Sequence, residues 1–268
     1  MNFESKVVEL YRSGKSGVKI SSELDVPVHK VYYALQKAGV DRRSNRDNSR
    51  RYRVNHNYFS IIDTPEKAYW LGFFFADGYV TSRGNQKMCG VSLNVKDRQH
   101  LLQLASDLDS NYPVHDYSGE TSYGYVEYAR LLVTSPTMYS DLISYGCTEL
   151  KSLTLAAPNS LPEEFVPDFI RGYFDGDGSF AMSKASAAGY RLKISGTKEF
   201  LSWVSKYLGG SIYTDSRSGH HVLECRATVE RIDFLYYDTN IRCLPRKYAR
   251  GMDAKRRILE RSGQSKQV

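Results

Sequence analysis

Two aspartates in matched surroundings are the residues of this chain best suited to chemistry. Asp77-Gly78 closes the segment WLGFFFADG and Asp177-Gly178 closes IRGYFDGDG, 100 residues apart. A single Asp-Gly pair is ordinarily a helix stop or a turn. Two copies, each closing an apolar helix-like run, weigh against that plain reading. Carboxylates are hard oxygen ligands suited to cations of the Mg2+ type, and such cations assist attack on phosphate esters. The charge distribution points the same way. Residues 1–60 hold 12 Lys and Arg against 6 acidic residues and residues 242–268 hold 9 against 2, so within a net charge of +7 the middle carries −6. Basic ends suit a phosphate partner, and an acidic centre suits carboxylates held for a metal. Solvated basic termini remain the simpler explanation of the same numbers.

The elements that must position these aspartates can be read from local signals. Thr64-Pro65-Glu66 supplies a capping hydroxyl, a first-turn proline and an acidic side chain at a helix start, and Pro167-Asp168 opens a second helix similarly. Each helix contains a glycine, Gly72 and Gly172, which costs about 1 kcal/mol relative to alanine and is explained by close helix-to-helix approach. After each Asp-Gly the chain repeats itself as strand pair, helix, strand pair, helix: GVSLNVKDRQHLLQLASDL in the first copy matches YRLKISGTKEFLSWVSKYL in the second. The expected fold class is α+β, with two αββαββα units about an approximate twofold axis, each a four-stranded antiparallel sheet with helices on one face. Along the strands, Ser92, Asn94 and Lys96 alternate with Val91, Leu93 and Val95, and Arg191, Lys193 and Ser195 alternate with Leu192 and Ile194, giving each sheet an apolar and a polar face. Those polar faces are candidate DNA-binding surfaces, although ordinary solvent exposure produces the same alternation.

WLGFFFADG and IRGYFDGDG resemble two copies of the motif of the LAGLIDADG homing endonucleases, and the repeat over roughly residues 64–260 is similar to that family more loosely. The resemblance implies that the two motif helices form the interface between the halves. It places Asp77 and Asp177 at the centre as metal ligands, with the backbone carbonyls of Ala76 and Gly176 assisting. Mg2+ is the implied cation, with Mn2+ as a substitute. The first motif departs from the family pattern at Phe75, where the second keeps Asp175. The family often sets a basic residue near each metal centre, and the matching positions are Lys151 and Lys247, with Arg246 beside the latter. A lysine there can polarise the attacking water or balance transition-state charge, and a lysine that touches only phosphate is the alternative. The function implied is a monomeric, metal-dependent endonuclease cutting both strands of a long DNA site. A regulator that binds DNA without cutting, and a cofactor of RNA splicing, are the competing readings.

Residues 1–40 read as a separate module. Apolar positions at Val7, Val8, Leu10 and Tyr11, then Val18, Ile20 and Leu24, mark two short helices, and a third follows with Pro27 at its first position and Val28, Val31, Ala34 and Leu35 as its expected buried stripe. The pattern resembles a helix-turn-helix, departing from it at Asp25, where the turn commonly has Gly, and at Ser21, where Ala is frequent. The third helix then offers His29, Lys30, Tyr33 and Lys37 to a major groove. Residues 41–60 read as a basic linker whose Arg42, Arg43 and Arg46 can follow a phosphate backbone, followed by the first repeat at 61–160 and the second, with a basic C-terminal helix, at 161–268.

Composition excludes other classes. With 41% hydrophobic residues and no apolar run of membrane-spanning length, the chain reads as soluble, and a start without signal or transit character reads as intracellular. The isolated Cys89, Cys147, Cys225 and Cys243 show no zinc or redox spacing and read as reduced thiols, while His220 and His221 read as exposed hairpin residues.

Overall fold

Side-chain caps start most of the helices. Asn2 accepts from the Ser5 N–H to open α1 (Phe3–Arg12), and Ser16 accepts from the Lys19 N–H to open α2 (Gly17–Glu23). The turn into α3 (Val28–Lys37) passes through Asp25 at φ 51°, the left-handed conformation that the usual glycine would take. Val7, Tyr11, Ile20, Val31, Ala34 and Leu35 form the small core of these three helices. Two details of the sequence reading need correction. Pro27 caps α3 instead of beginning it, and Val28 is 37% exposed, because the buried stripe starts at Val31.

The computed structural model describes residues 2–42, 52–121, 124–182, 189–216, 218–238 and 241–264, and the chain divides into two units, Met1–Arg53 and Val54–Val268. Arg43 and Arg46 lie outside the described residues. The basic segment expected to run to residue 60 ends sooner: Val54, Tyr58 and Phe59 are buried in the core of the second unit, since their apolar side chains have a hydrophobic surface to join.

The second unit repeats one plan twice. The first copy runs α4 (Pro65–Ala76), β1 (Gly78–Arg83), β2 (Gln86–Asn94), α5 (Arg98–Asp107), β3 (Val114–Thr121), β4 (Gly124–Thr134) and α6 (Pro136–Tyr145). The second runs α7 (Val166–Asp177), β5 (Gly178–Met182), β6 (Tyr190–Gly196), α8 (Lys198–Leu208), β7 (Ser211–Thr214), β8 (His221–Arg226) and α9 (Val229–Leu235), and α10 (Pro245–Gln264) follows. Both sheets are antiparallel with the same order, β1-β2-β4-β3 and β5-β6-β8-β7. This is the expected pair of αββαββα units. Register pairs Gly78 with Val91 and Gly178 with Ile194, so equivalent residues occupy equivalent places in the two sheets.

The core lies between the sheets and the helices, and α4 and α7 are at its centre. Every residue of α4 from Ala68 to Phe75 is buried, which matches a helix apolar on all sides. Among the described residues no helix is long and apolar enough to cross a membrane. All four cysteines are free thiols, three of them buried.

Candidate active site

The crossing of α4 and α7 fixes the site. A Cβ added to Gly72 would lie 2.0 Å from the Phe169 carbonyl oxygen, and one added to Gly172 would lie 1.9 Å from that of Tyr69. The two helices therefore touch backbone to backbone, as the paired glycines led us to expect. Each helix ends on its Asp-Gly pair and passes directly into the first strand of its sheet: the Asp77 N–H bonds to the Phe73 carbonyl and the Gly178 N–H to that of Phe174. At the tip of the crossing a Cβ on Gly176 would lie 2.3 Å from the Ala76 Cβ and 3.2 Å from Asp77 Oδ2. The first motif's carboxylate thus rests against the end of the second motif's helix.

Electrostatics set these aspartates apart. Burial and then the charge of Asp177 push Asp77 up to about 6, although Lys247, Lys151 and Arg246 pull it back. Burial also raises Asp177, with Lys151, Lys247, Tyr173 and His220 opposing. Two oxygen-donor side chains are held together with too little positive charge to keep both comfortably ionised, and that deficit is what a hard divalent cation makes good. Among the described residues there is no cluster of three or more His, Cys, Asp and Glu that could hold a metal ion.

Each motif end is faced by a buried lysine. Lys151, at the start of a 3-10 turn (Lys151–Leu153), donates to the Ala76 carbonyl at 2.8 Å. Lys247, in the first turn of α10, donates to the Gly176 carbonyl at 2.7 Å and to that of Phe174 at 2.9 Å. Burial pushes Lys247 down to about 8, with Asp175, Asp77 and Asp177 opposing. Neither is a surface lysine. The same two carbonyls that the resemblance assigned to metal accept ammonium groups here, each through one of two lone pairs. A cleft of about 230 Å3 opens beside this centre, lined among others by Ala76, Lys151, Tyr173, Asp177, Ser195 and His220.

The other candidate residues are dispersed. On the first sheet Ser92 and Asn94 lie on the polar face, where Arg130 donates to Ser92 at 3.2 Å and sits over the stacked rings of Tyr117 and Tyr128. Lys96 is not on that face: β2 ends at Asn94, and Val95–Asp97 form a 3-10 turn. On the second sheet Arg191 and Lys193 both pair with Glu224, at 3.3 and 2.8 Å, while Ser195 is exposed beside the cleft. Arg246 is exposed and paired with Asp97 at 2.9 Å. In the first unit His29, Lys30 and Tyr33 are exposed on α3, Lys37 is tied to Glu4 at 2.7 Å, and Arg42 lies 3.8 Å above the Tyr32 ring. His220 is exposed as expected, but at the mouth of the cleft, while His221 is half-buried against Thr214.

No protein-family model and no curated protein sequence matches the chain. Solved structures do. Similarity to the homing endonuclease I-WcaI bound to its DNA recognition sequence spans 72% of this chain and 90% of that one, at 11% identity and a TM-score of 0.52. The LAGLIDADG homing endonuclease I-GzeII in complex with DNA target matches over 75% and 92%, at 14% identity and a TM-score of 0.50. The fold is that of the LAGLIDADG homing endonucleases. Meganuclease I-SmaMI bound to uncleaveable DNA is similar over 74% of this chain and 91% of its own, at 16% identity and a TM-score of 0.50. In this LAGLIDADG scaffold α4 and α7 are the paired motif helices, and both halves reside in one chain.

Three functional features escaped the sequence reading. Tyr173 of α7 donates its hydroxyl proton to the Ser195 carbonyl at 2.9 Å, beside Asp177 in the lining of the cleft. Glu224, which restrains both basic residues of the second sheet, sits opposite Lys193 in the β6–β8 register, and that register is not legible without the fold. Asp175 was noted only as a family letter, yet it is completely buried and fully hydrogen-bonded.

Proposed function

We propose that this chain is a site-specific DNA endonuclease that hydrolyses one phosphodiester in each strand, and that it acts as a monomer. The observation that carries this reading is the pair of buried, mutually repelling carboxylates at a glycine-packed helix crossing, each motif end faced by its own buried lysine. Likeness to structures solved with DNA supports the partner. Asp77 and Asp177, with the Ala76 and Gly176 carbonyls, are the residues that would hold Mg2+ or Mn2+, which when bound supplies Lewis acidity for the attacking water and for the charge on phosphate and leaving oxygen. Lys247, brought by burial to about 8, can hold or release its Nζ proton near neutrality, and so can orient the attacking water or donate to the leaving oxygen. Lys151 stands in the equivalent place for the other strand.

Ser92, Asn94, Arg191, Lys193 and Ser195 would face the DNA from the two sheets, with Arg191 and Lys193 exchanging Glu224 for phosphate or base edges. His29, Lys30 and Tyr33 of α3 would extend the site as a helix-turn-helix module, and Lys37, Arg42 and Arg246 would add phosphate contacts that weaken with salt.

The test is to incubate the purified protein with a library of random duplex DNA in Mg2+ and in EDTA and to sequence the ends. Site-specific double-strand breaks that require the metal are the expected result. Selective binding without cutting in Mg2+ or Mn2+ would transfer the function to a DNA-binding regulator, and preference for a structured RNA would favour a splicing cofactor. On the cleaved target, Lys151→Met and Lys247→Met are each expected to slow single-turnover cleavage about 10²- to 10⁴-fold with target affinity retained. A rate close to wild type would remove the lysines from the chemistry.

A further inference from the structure

We infer that Asp175 is a positioning residue for Lys247, and that because the first half lacks its equivalent the two cutting centres are unequal, so that one DNA strand depends on Asp175 and the other does not. This rests on the endonuclease reading given above. The observations behind it are geometric.

Asp175 is wholly buried in α7, two residues before the metal-site aspartate. Its Oδ2 accepts from the Tyr69 hydroxyl at 2.9 Å and from the Leu244 N–H at 2.6 Å, and its Oδ1 accepts from the Tyr236 hydroxyl at 2.7 Å. The Leu244 N–H can only donate, and the two hydroxyls are placed to donate as well, so three hydrogen-bond partners from three separate segments converge on this one side chain. Leu244 matters because its carbonyl receives the N–H groups of Lys247 and Tyr248, at 2.9 and 3.0 Å, and so starts the helix that carries Lys247. One turn earlier in α7, buried Arg171 donates to the Arg242 carbonyl at 2.8 Å, with its charge matched by Asp168 at 2.6 Å.

The same loop is fastened to the first half of the molecule. The Arg242 guanidinium makes a two-pronged bond to Asp107, at 2.8 and 2.9 Å, and Arg246 pairs with Asp97. Tyr69 belongs to α4, and since its one proton goes to Asp175, His100 Nε2 at 2.8 Å must present the N–H to it. Lys247 is thus aimed at Gly176 by a network spanning both motif helices.

The first half is built differently. Phe75 stands where Asp175 would be and packs edge-on against Phe169, and Leu71 takes the place of Arg171. Lys151 is reached through Leu150, which has a left-handed backbone at φ 58° and a largely exposed side chain, and Leu153 beyond it is also exposed. Apart from the Lys151 bond to Ala76 itself, the hydrogen bond that ties this segment to its motif helix among the described residues is the weaker one from the Cys147 thiol to the Phe74 carbonyl, at 3.5 Å.

Asp175→Asn replaces one acceptor by an amide that points hydrogens at donors, and Tyr236→Phe removes a single bond while keeping the ring. Supercoiled plasmid carrying the cleaved target separates the two cuts as nicked circle and linear product. With Asp175→Asn we expect one strand to be cut about 10- to 100-fold more slowly and nicked circle to accumulate, with a smaller effect of the same kind for Tyr236→Phe. Amide hydrogen exchange over residues 241–247 is expected to quicken in both variants while α4 stays protected. A merely structural role would slow both cuts together, and that result, or unchanged exchange at 241–247, would overturn the inference. Should wild-type protein cut nothing, the endonuclease reading falls with it, while the exchange result still reports whether Asp175 holds the Lys247 loop.

Discussion

Asp77→Asn/Asp177→Asn protein is expected to bind its DNA target without cutting it and, in EDTA at pH 8, to melt above the wild type. Asp77 has a folded-state value of about 6 against an ordinary 3.8 because it is buried beside Asp177. A carboxyl raised in this way holds its proton more tightly folded than unfolded. Its relative contribution to stability is therefore present below 3.8, declines as pH rises through about 6, and is gone at pH 8. Since one pKa unit corresponds to about 1.4 kcal/mol, the ionised pair costs on the order of 1–3 kcal/mol once partial solvent access is allowed for. A neutral amide carries no such cost, and in a protein of this size each kcal/mol is worth roughly 2–4 °C. At pH 5 the gap should narrow, because wild-type Asp77 is then already largely protonated. Added Mg2+ should raise the wild type at pH 8 and leave the variant where it was. A variant that melts below wild type in EDTA at pH 8 would mean that the aspartates stabilise the crossing, and a variant that cuts would place the chemistry elsewhere.

The pairing of a functional carboxylate with a stability cost also explains what the sequence could and could not reveal. Asp77 and Asp177 are legible because they end two copies of one pattern, and a repeated pattern carries its own control. The αββαββα order is legible for the same reason, since helix starts such as Thr64-Pro65 and strand alternation such as 91–94 are local signals. Lys96 was misplaced because alternation continues on paper beyond the residue where the ladder ends, and β2 pairs with β4 only as far as Asn94. Val28 was misplaced because a three-helix module of this size buries a short stripe only. The residues that were missed depend on contacts between distant segments: Glu224 on strand register, and Asp175 on a loop 69 residues away. No local signal distinguishes a buried carboxylate that organises a loop from one at a helix end in water.

Gly72→Ala and Gly172→Ala are each expected to destabilise the second unit by about 3 kcal/mol or more, at or beyond the upper end of the usual cost of overpacking. On an isolated helix either change would gain about 1 kcal/mol. That gain is outweighed here because the added methyl meets a backbone carbonyl at 2.0 or 1.9 Å, and a carbonyl fixed in a helix cannot rotate aside. Relief requires α4 and α7 to separate, and the aspartates at their ends separate with them. Cleavage should then be lost even at temperatures where the variants remain folded. The double variant should cost less than the two single changes combined, because one separation relieves both overlaps. Urea unfolding measures the stability, with Gly119→Ala as the control, since a Cβ there meets nothing within 4 Å and its backbone needs no left-handed angle. A loss below 1 kcal/mol at both crossing positions would show that the helices are not in contact in solution. The closeness that brings Asp77 and Asp177 together would then need another cause.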